Sequence, residues 1–171
     1  MIKYHDEEWG RPVHDDRLHF EFVVLESAQA GLSWEIILNR RENYRKAFAD
    51  FDPVKVAKFS EKKIQKLLLN QGIIRNKLKI RSTVSNAQNF LKIQNEFGSF
   101  DKYIWSFVKN KTITRRPKRK SQFKATDKHS DALSKDLKKR GFKFTGSTIC
   151  YAHMQAIGLI DEHQEGCLSA T

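Results

Sequence analysis

Proline, glycine and cysteine are all scarce in this chain, with 3 Pro, 8 Gly and 2 Cys among 171 residues. So little glycine and proline excludes a collagen-like or low-complexity polypeptide. Two cysteines build no disulfide framework, and that usage fits a reducing intracellular setting. Long apolar runs are missing too, so nothing reads as a membrane span and nothing at the N-terminus reads as a signal peptide. Acid is scarce only locally. Residues 1–60 hold 9 Lys/Arg against 11 Asp/Glu, whereas residues 61–171 hold 23 against 9, and the net charge is +12. What is present is apolar material for a core: 39% hydrophobic residues, with 12 Phe and 3 Trp. That content excludes a disordered basic tail. A basic surface on a folded domain points to a polyanion, most simply nucleic acid, or to a well-solvated face with no partner.

Strand-like alternation is absent as well; FKFTG at 142–146 is the nearest candidate and is too short. The spacing predicts an all-α fold, a single compact domain over 1–171 of about eight helices. Leu18, Phe22, Val23 and Leu25 mark a helix over 15–30, broken by Gly31-Leu32. Ser33 caps a helix from Trp34 to about Phe48, with Ile36, Ile37, Tyr44 and Phe48 as its apolar residues. Asp52-Pro53 opens a short helix with Val54, Val56 and Phe59, and Ser60 opens another with Ile64, Leu67 and Leu68 inward. After Gln71-Gly72-Ile73-Ile74, a long helix runs from about Arg75 or Asn76 to Phe97, closed by Gly98. Ser99, Ser130 and Ser147 or Thr148 open the last three helices, the second ending at Gly141 and the third at Gly158. Residues 109–129 lack periodicity. Lys109, Lys111, Arg115, Arg116, Lys118, Arg119 and Lys120 fall there with no acid between them, the pattern of a mobile solvated loop that touches phosphates without reading sequence.

Three constellations carry chemistry. In LLLNQGIIRNKLKI (67–80), two amphipathic helices flank a glycine turn, the pattern of a helix-hairpin-helix. Such a turn offers free N–H groups and a helix-dipole end to a phosphate, with Arg75, Lys77 and Lys79 adding attraction. An ordinary helix corner whose Gly72 only permits the turn has the same pattern. The second is Glu26, stacked one turn after Phe22 and Val23. It is either a helix-end carboxylate in solvent or one held in a pocket. Tyr4, Trp9 and Trp34 beside such a carboxylate suit a planar cationic base, although each taken alone suits core packing better. The third is His163 and Cys167, a spacing for zinc, with His5 as a candidate from the other end of the chain. His14, His19, His129 and His153 have no such partners and read as surface or core histidines, and Cys150 reads as core.

The blocks YHDEEWG, LESAQAGLSW, FDPVKVA, GIIRNKLKI, SDALSKDLKKRGFKFTG and TICYAHMQAIGL, in that order, resemble the 3-methyladenine DNA glycosylase I family. The resemblance implies a helical helix-hairpin-helix glycosylase that flips 3-methyladenine out of alkylated double-stranded DNA, releases it as the free base and leaves an abasic site. It implies that Glu26 bonds the flipped base, that Tyr4 and Trp34 stack around it and that Trp9 lines the same region. It implies that Leu32, beside Gly31, fills the gap in the duplex, and that Gly72, Ile73, Ile74 and Arg75 grip DNA. Residues 62–100 contain no Asp, so the carboxylate that assists catalysis beyond the hairpin in many related enzymes has no occupant, as in this family. Glu26 is then expected to recognise the cation and help electrostatically, not to act as a strong general base. His5, His163 and Cys167 match three of the family's four zinc ligands, joining the segments 1–10 and 160–171. The family's Cys-containing segment before the YHD block is expected to be missing, since Met1 stands three residues before Tyr4. The remaining expectations are a cytoplasmic monomer with no membrane partner. A non-catalytic DNA-binding module of the same fold is the alternative.

Overall fold

Most helix starts in the computed structural model, which describes residues 1–170, are set by polar side chains that accept from the first free amides. The helices are α1 (Ile2–Glu7), α2 (Asp16–Gln29), α3 (Trp34–Leu38), α4 (Arg41–Ala47), α5 (Pro53–Val56), α6 (Glu61–Leu69), α7 (Lys77–Phe97), α8 (Phe100–Ser106), α9 (Lys128–Lys139) and α10 (Ser147–Ala156). Asp15, Ser33, Asp52, Ser60, Asn76 and Ser99 each cap the helix that follows. Gly98 closes α7 in the left-handed conformation, at φ +86°.

Several expectations change. The single helix expected from Trp34 to Phe48 is two, because the Arg40 amide bonds the Ile37 carbonyl at 2.9 Å and tightens the chain out of α geometry. α9 starts at Lys128, not Ser130. Asp127 is its cap, and Ser130 returns a bond to the Asp127 amide at 2.9 Å, a reciprocal pair that places Ser130 inside the first turn. α1 was not expected. Neither was a short parallel ladder of β1 (Ile113–Thr114) with β2 (Ile160–Asp161), in which Ile113 faces Ile160. Leu18, Ile36 and Val54 are exposed, not inward.

The reason for the misplaced Leu18 lies in how α2 sits. It packs against α3, α7, α8 and α10, so it is buried nearly all round, and its apolar face is not a stripe. Phe20, Phe22, Val24 and Leu25 are buried, and so are His19, Glu21 and Glu26. Glu21 is satisfied by Arg41 Nε at 2.6 Å and Arg45 Nη2 at 3.1 Å. Phe20 meets Phe90 edge-on, and Phe90 stacks on Phe100 with centroids 4.1 Å apart, joining α2, α7 and α8. Among the described residues, no helix is long and apolar enough to cross a membrane.

The basic segment is held more firmly than its composition suggests. Arg115 donates to Asp127 at 2.5 Å and to the Tyr151 hydroxyl, and Arg116 donates to Asp161 at 2.7 Å. These two cations face inward, whereas Lys118, Arg119 and Lys120 remain exposed.

The C-terminal end of α2 is tied to the hairpin. Lys79, in the first turn of α7, donates from Nζ to the carbonyls of Ala28 and Ala30 at 2.8 and 2.6 Å. A cation there matches the negative end of the helix dipole. Burial pulls the Lys79 pKa below the usual lysine value. Lys79→Met should therefore cost about 1–3 kcal/mol in urea unfolding and speed amide exchange in residues 28–33. Unchanged exchange there would show that the tie carries no load.

Candidate active site

Glu26 lies in the last turns of α2, only 4% exposed, in the wall of a cavity of about 650 Å³. That size is within the range of pockets for small organic ligands. Tyr4 from α1, Trp9, Gln29, Trp34 at the start of α3 and Gln155 of α10 share the wall. The rings of Tyr4 and Trp34 tilt together with centroids 5.7 Å apart, and Trp34 Nε1 is buried with no partner among the described residues. Burial, with the charges of Glu26 and Glu8 nearby, pushes the Tyr4 phenol above its usual pKa and keeps it protonated.

Two glycines bring the N-terminal segment to this wall. Gly158, at φ +75°, lies where a Cβ would come within 2.3 Å of the Arg11 backbone, so residues 10–13 cross directly over the end of α10. Gly10 N and Val13 N bond the carbonyls of Gln155 and Ile157, both at 3.0 Å. Gly10, at φ +76°, would place a Cβ 2.7 Å from the ring of His163. The close approach needs glycine at both points.

Glu26 has one hydrogen-bond partner among the described residues. His153 Nδ1 of α10 lies 2.9 Å from its Oε2. Burial raises the Glu26 carboxyl above the usual carboxylate range, opposed by the charge and hydrogen bond of His153. Sequence reasoning placed His153 among the surface or core histidines. The available signal was a histidine three residues after Cys150 on an apolar helix face, where a buried ring needs a partner. The basic loop also contributes unexpectedly, bringing Phe123 to the cavity wall.

His5, His163 and Cys167 converge beside the same cavity, His5 and Cys167 in its wall, with donor atoms all within 4.8 Å of one another. Trp9 stacks on His5 and meets His163 edge-on with centroids 4.7 Å apart, so it serves this cluster as well as the wall. His163 Nδ1 lies 2.6 Å from Asp161 and His5 Nδ1 lies 2.8 Å from Asp6. Each ring nitrogen left over is an Nε2, and that of His163 is buried without a partner among the described residues. Imidazoles oriented by carboxylates and a thiol suit a metal such as zinc.

Leu32 and Gly31 form the turn between α2 and α3. Leu32 is 36% exposed, and Gly31 has φ +78° with open space where a Cβ would be. In the hairpin, Ile73 is buried and Ile74 half-buried. The Gly72 amide bonds the Asn70 side chain at 2.8 Å, and the Ile74 amide bonds the Tyr44 hydroxyl at 3.1 Å. Those amides are spent within the protein, on the turn itself and on α4. Among the described residues, the amides of Arg75, Lys77 and Leu78 have no hydrogen bond, and Asn76 caps only Lys79. The open end of α7 thus lies just beyond the glycine.

The methyladenine glycosylase family matches residues 1–170. A DNA-3-methyladenine glycosylase 1 of Escherichia coli (strain K12) is 46% identical over 166 residues, spanning 97% of this chain and 89% of that protein. A DNA-3-methyladenine glycosylase of Haemophilus influenzae is 45% identical over 97% of this chain and 90% of its own length. A solved 3-methyladenine DNA glycosylase I from Staphylococcus aureus, described for its recognition of 3-methyladenine, superposes with a TM-score of 0.97. It is 39% identical and covers 99% of this chain and 90% of its own.

The raised pKa of Glu26 has a sign for stability. The native state holds the proton to higher pH than the unfolded chain, so stability falls as pH rises past the usual glutamate value of about 4.3. Glu26→Gln removes that penalty. The variant should be more stable than wild type by about 0.5–2 kcal/mol at pH 8, and the gap should close as pH falls toward 4. A gap independent of pH, in thermal unfolding across that range, would mean that the carboxylate carries no such cost.

Proposed function

The chain belongs to the methyladenine glycosylase family and is a hydrolytic DNA-3-methyladenine glycosylase of base-excision repair; we propose that Glu26, Tyr4, Trp9 and Trp34 receive the flipped base. The observation that carries this is a buried carboxylate in the wall of a cavity with aromatic rings beside it. Methylation at N3 makes the base cationic, which weakens its N-glycosidic bond and leaves a neutral base on departure. A buried anion gains most from such a ligand, whereas neutral adenine leaves Glu26 without a counter-charge. Discrimination then follows from charge and from the ease with which a damaged base leaves the stack.

As the bond breaks, positive charge moves from base to sugar. Glu26 therefore binds the ground state strongly and helps the transition state through proximity of its charge, with DNA phosphates sharing that task. The Leu32 turn enters the duplex in this reading. The hairpin through Gly72, Ile73, Ile74 and Arg75 grips a phosphate, helped by the open amides at the start of α7. The same reading has the enzyme act on double-stranded DNA as a monomer inside the bacterial cell.

A structural zinc ion held by His5, His163 and Cys167 belongs to the proposal. It is supported by the convergence of the donors, the partnerless His163 Nε2 and the carboxylates behind both rings. When bound, zinc supplies a cross-link between the two ends of the chain.

Incubating methylated duplex DNA with the protein should release free 3-methyladenine, and Glu26→Gln should cut that release by about 100-fold while DNA binding persists. Release by the variant at the wild-type rate would remove Glu26 from the mechanism. Leu32→Ala should weaken binding to abasic-site DNA about tenfold. For the metal, purified protein should contain zinc in a one-to-one ratio, and Cys167→Ser should lose it with a lower Tm. Metal-free wild type with an unchanged Tm would rule the site out.

A further inference from the structure

His153 touches Glu26 from outside the base pocket. It does not line the large cavity; it borders a second, far smaller one of about 20 Å³, together with Thr145 and Cys150. The ring is 5% exposed, and its bond to Glu26 spans α10 and α2, elements 127 residues apart in sequence. Its other nitrogen, Nε2, has no partner among the described residues. Here the one bond that orients the imidazole goes to the carboxylate. Glu26 in turn accepts no other bond among the described residues, so Oε1 has no protein partner, and the side chain borders the large cavity as well as the small one.

We propose that His153 is a positioning residue for 3-methyladenine release: it donates Nδ1–H to Oε2 of Glu26, fixes the rotation of the carboxylate and leaves Oε1 for the base. This rests on the reading of Glu26 as the base-recognising group. A free glutamate side chain samples several rotamers, and a carboxylate rotated away from the base loses directional bonds as well as charge proximity. His153 removes that freedom without meeting the base itself. With Glu26 ionised, the bond requires the tautomer that carries its proton on Nδ1.

The test compares wild type, His153→Phe, His153→Asn, Glu26→Gln and the double variant Glu26→Gln/His153→Phe in single-turnover release of 3-methyladenine from methylated duplex DNA. His153→Phe keeps a ring and loses the donor, and should slow release about 10–100-fold. His153→Asn carries an amide nitrogen near the Nδ1 position and should recover most of the rate. The double variant should be no slower than Glu26→Gln alone, because the histidine acts only through the carboxylate. Wild-type release by folded His153→Phe, equal loss in His153→Asn, or multiplicative loss in the double variant would each overturn the proposal. Should His153→Phe not fold, nitrogen NMR of the wild-type imidazole decides: the Nδ1–H tautomer, shifted by Glu26→Gln, supports it, and an Nε2–H tautomer or an unmoved ring overturns it. Glu26→Gln at the wild-type rate removes the reading beneath the proposal. Slow Glu26→Gln beside fast His153→Phe removes the proposal alone.

Discussion

A carboxylate keeps its charge in a protein interior only if something replaces the water it has lost, and in this fold that constraint falls on Glu26. Its replacement is sparse: one imidazole at 2.9 Å and no cation of its own among the described residues. Glu21, five residues earlier on the same helix and equally buried, is treated differently, with two guanidinium partners. The contrast separates a structural carboxylate from one left short of charge. In the proposed function a cationic base supplies what Glu26 lacks, and the cost of burying the carboxylate becomes affinity for the damaged nucleotide.

The surroundings follow from that need. α2 is wrapped by four other helices, which keeps bulk water from the carboxylate and leaves it in the wall of the cavity. The Lys79 tie links the end of α2 to the hairpin helix, so the element expected to hold phosphate and the turn expected to enter the duplex are one mechanical unit. The N-terminal segment completes the wall from the other side, seated over α10 through Gly10 and Gly158.

The uneven charge also gains a structural meaning. The near-neutral first third supplies the pocket helix and its aromatics, and the basic remainder supplies the hairpin. Not all of that basic charge faces outward. Arg115 and Arg116 turn in to satisfy Asp127 and Asp161, and by doing so they fix the loop that brings Phe123 to the cavity. A charge count cannot tell an inward arginine from an outward one, because the difference depends on acids lying far away in sequence.

By itself the sequence determined the helical class, the caps at Ser33, Asp52, Ser60 and Ser99 and the hairpin at Gly72, and it singled out Glu26, Tyr4 and Trp34, which the fold brings to one cavity. These are local matters of periodicity, capping and turn chemistry, or residue blocks that resemble one family. Tertiary structure decided the rest. It set the exposure of Leu18, since α2, surrounded by other helices, has no single apolar face. It paired β1 with β2 through Ile113 and Ile160, strands too short for alternation to reveal. Above all it joined His153 to Glu26, because a hydrogen bond between two buried side chains depends on where two helices cross, and that crossing is fixed by packing of the whole core rather than by either residue's neighbours.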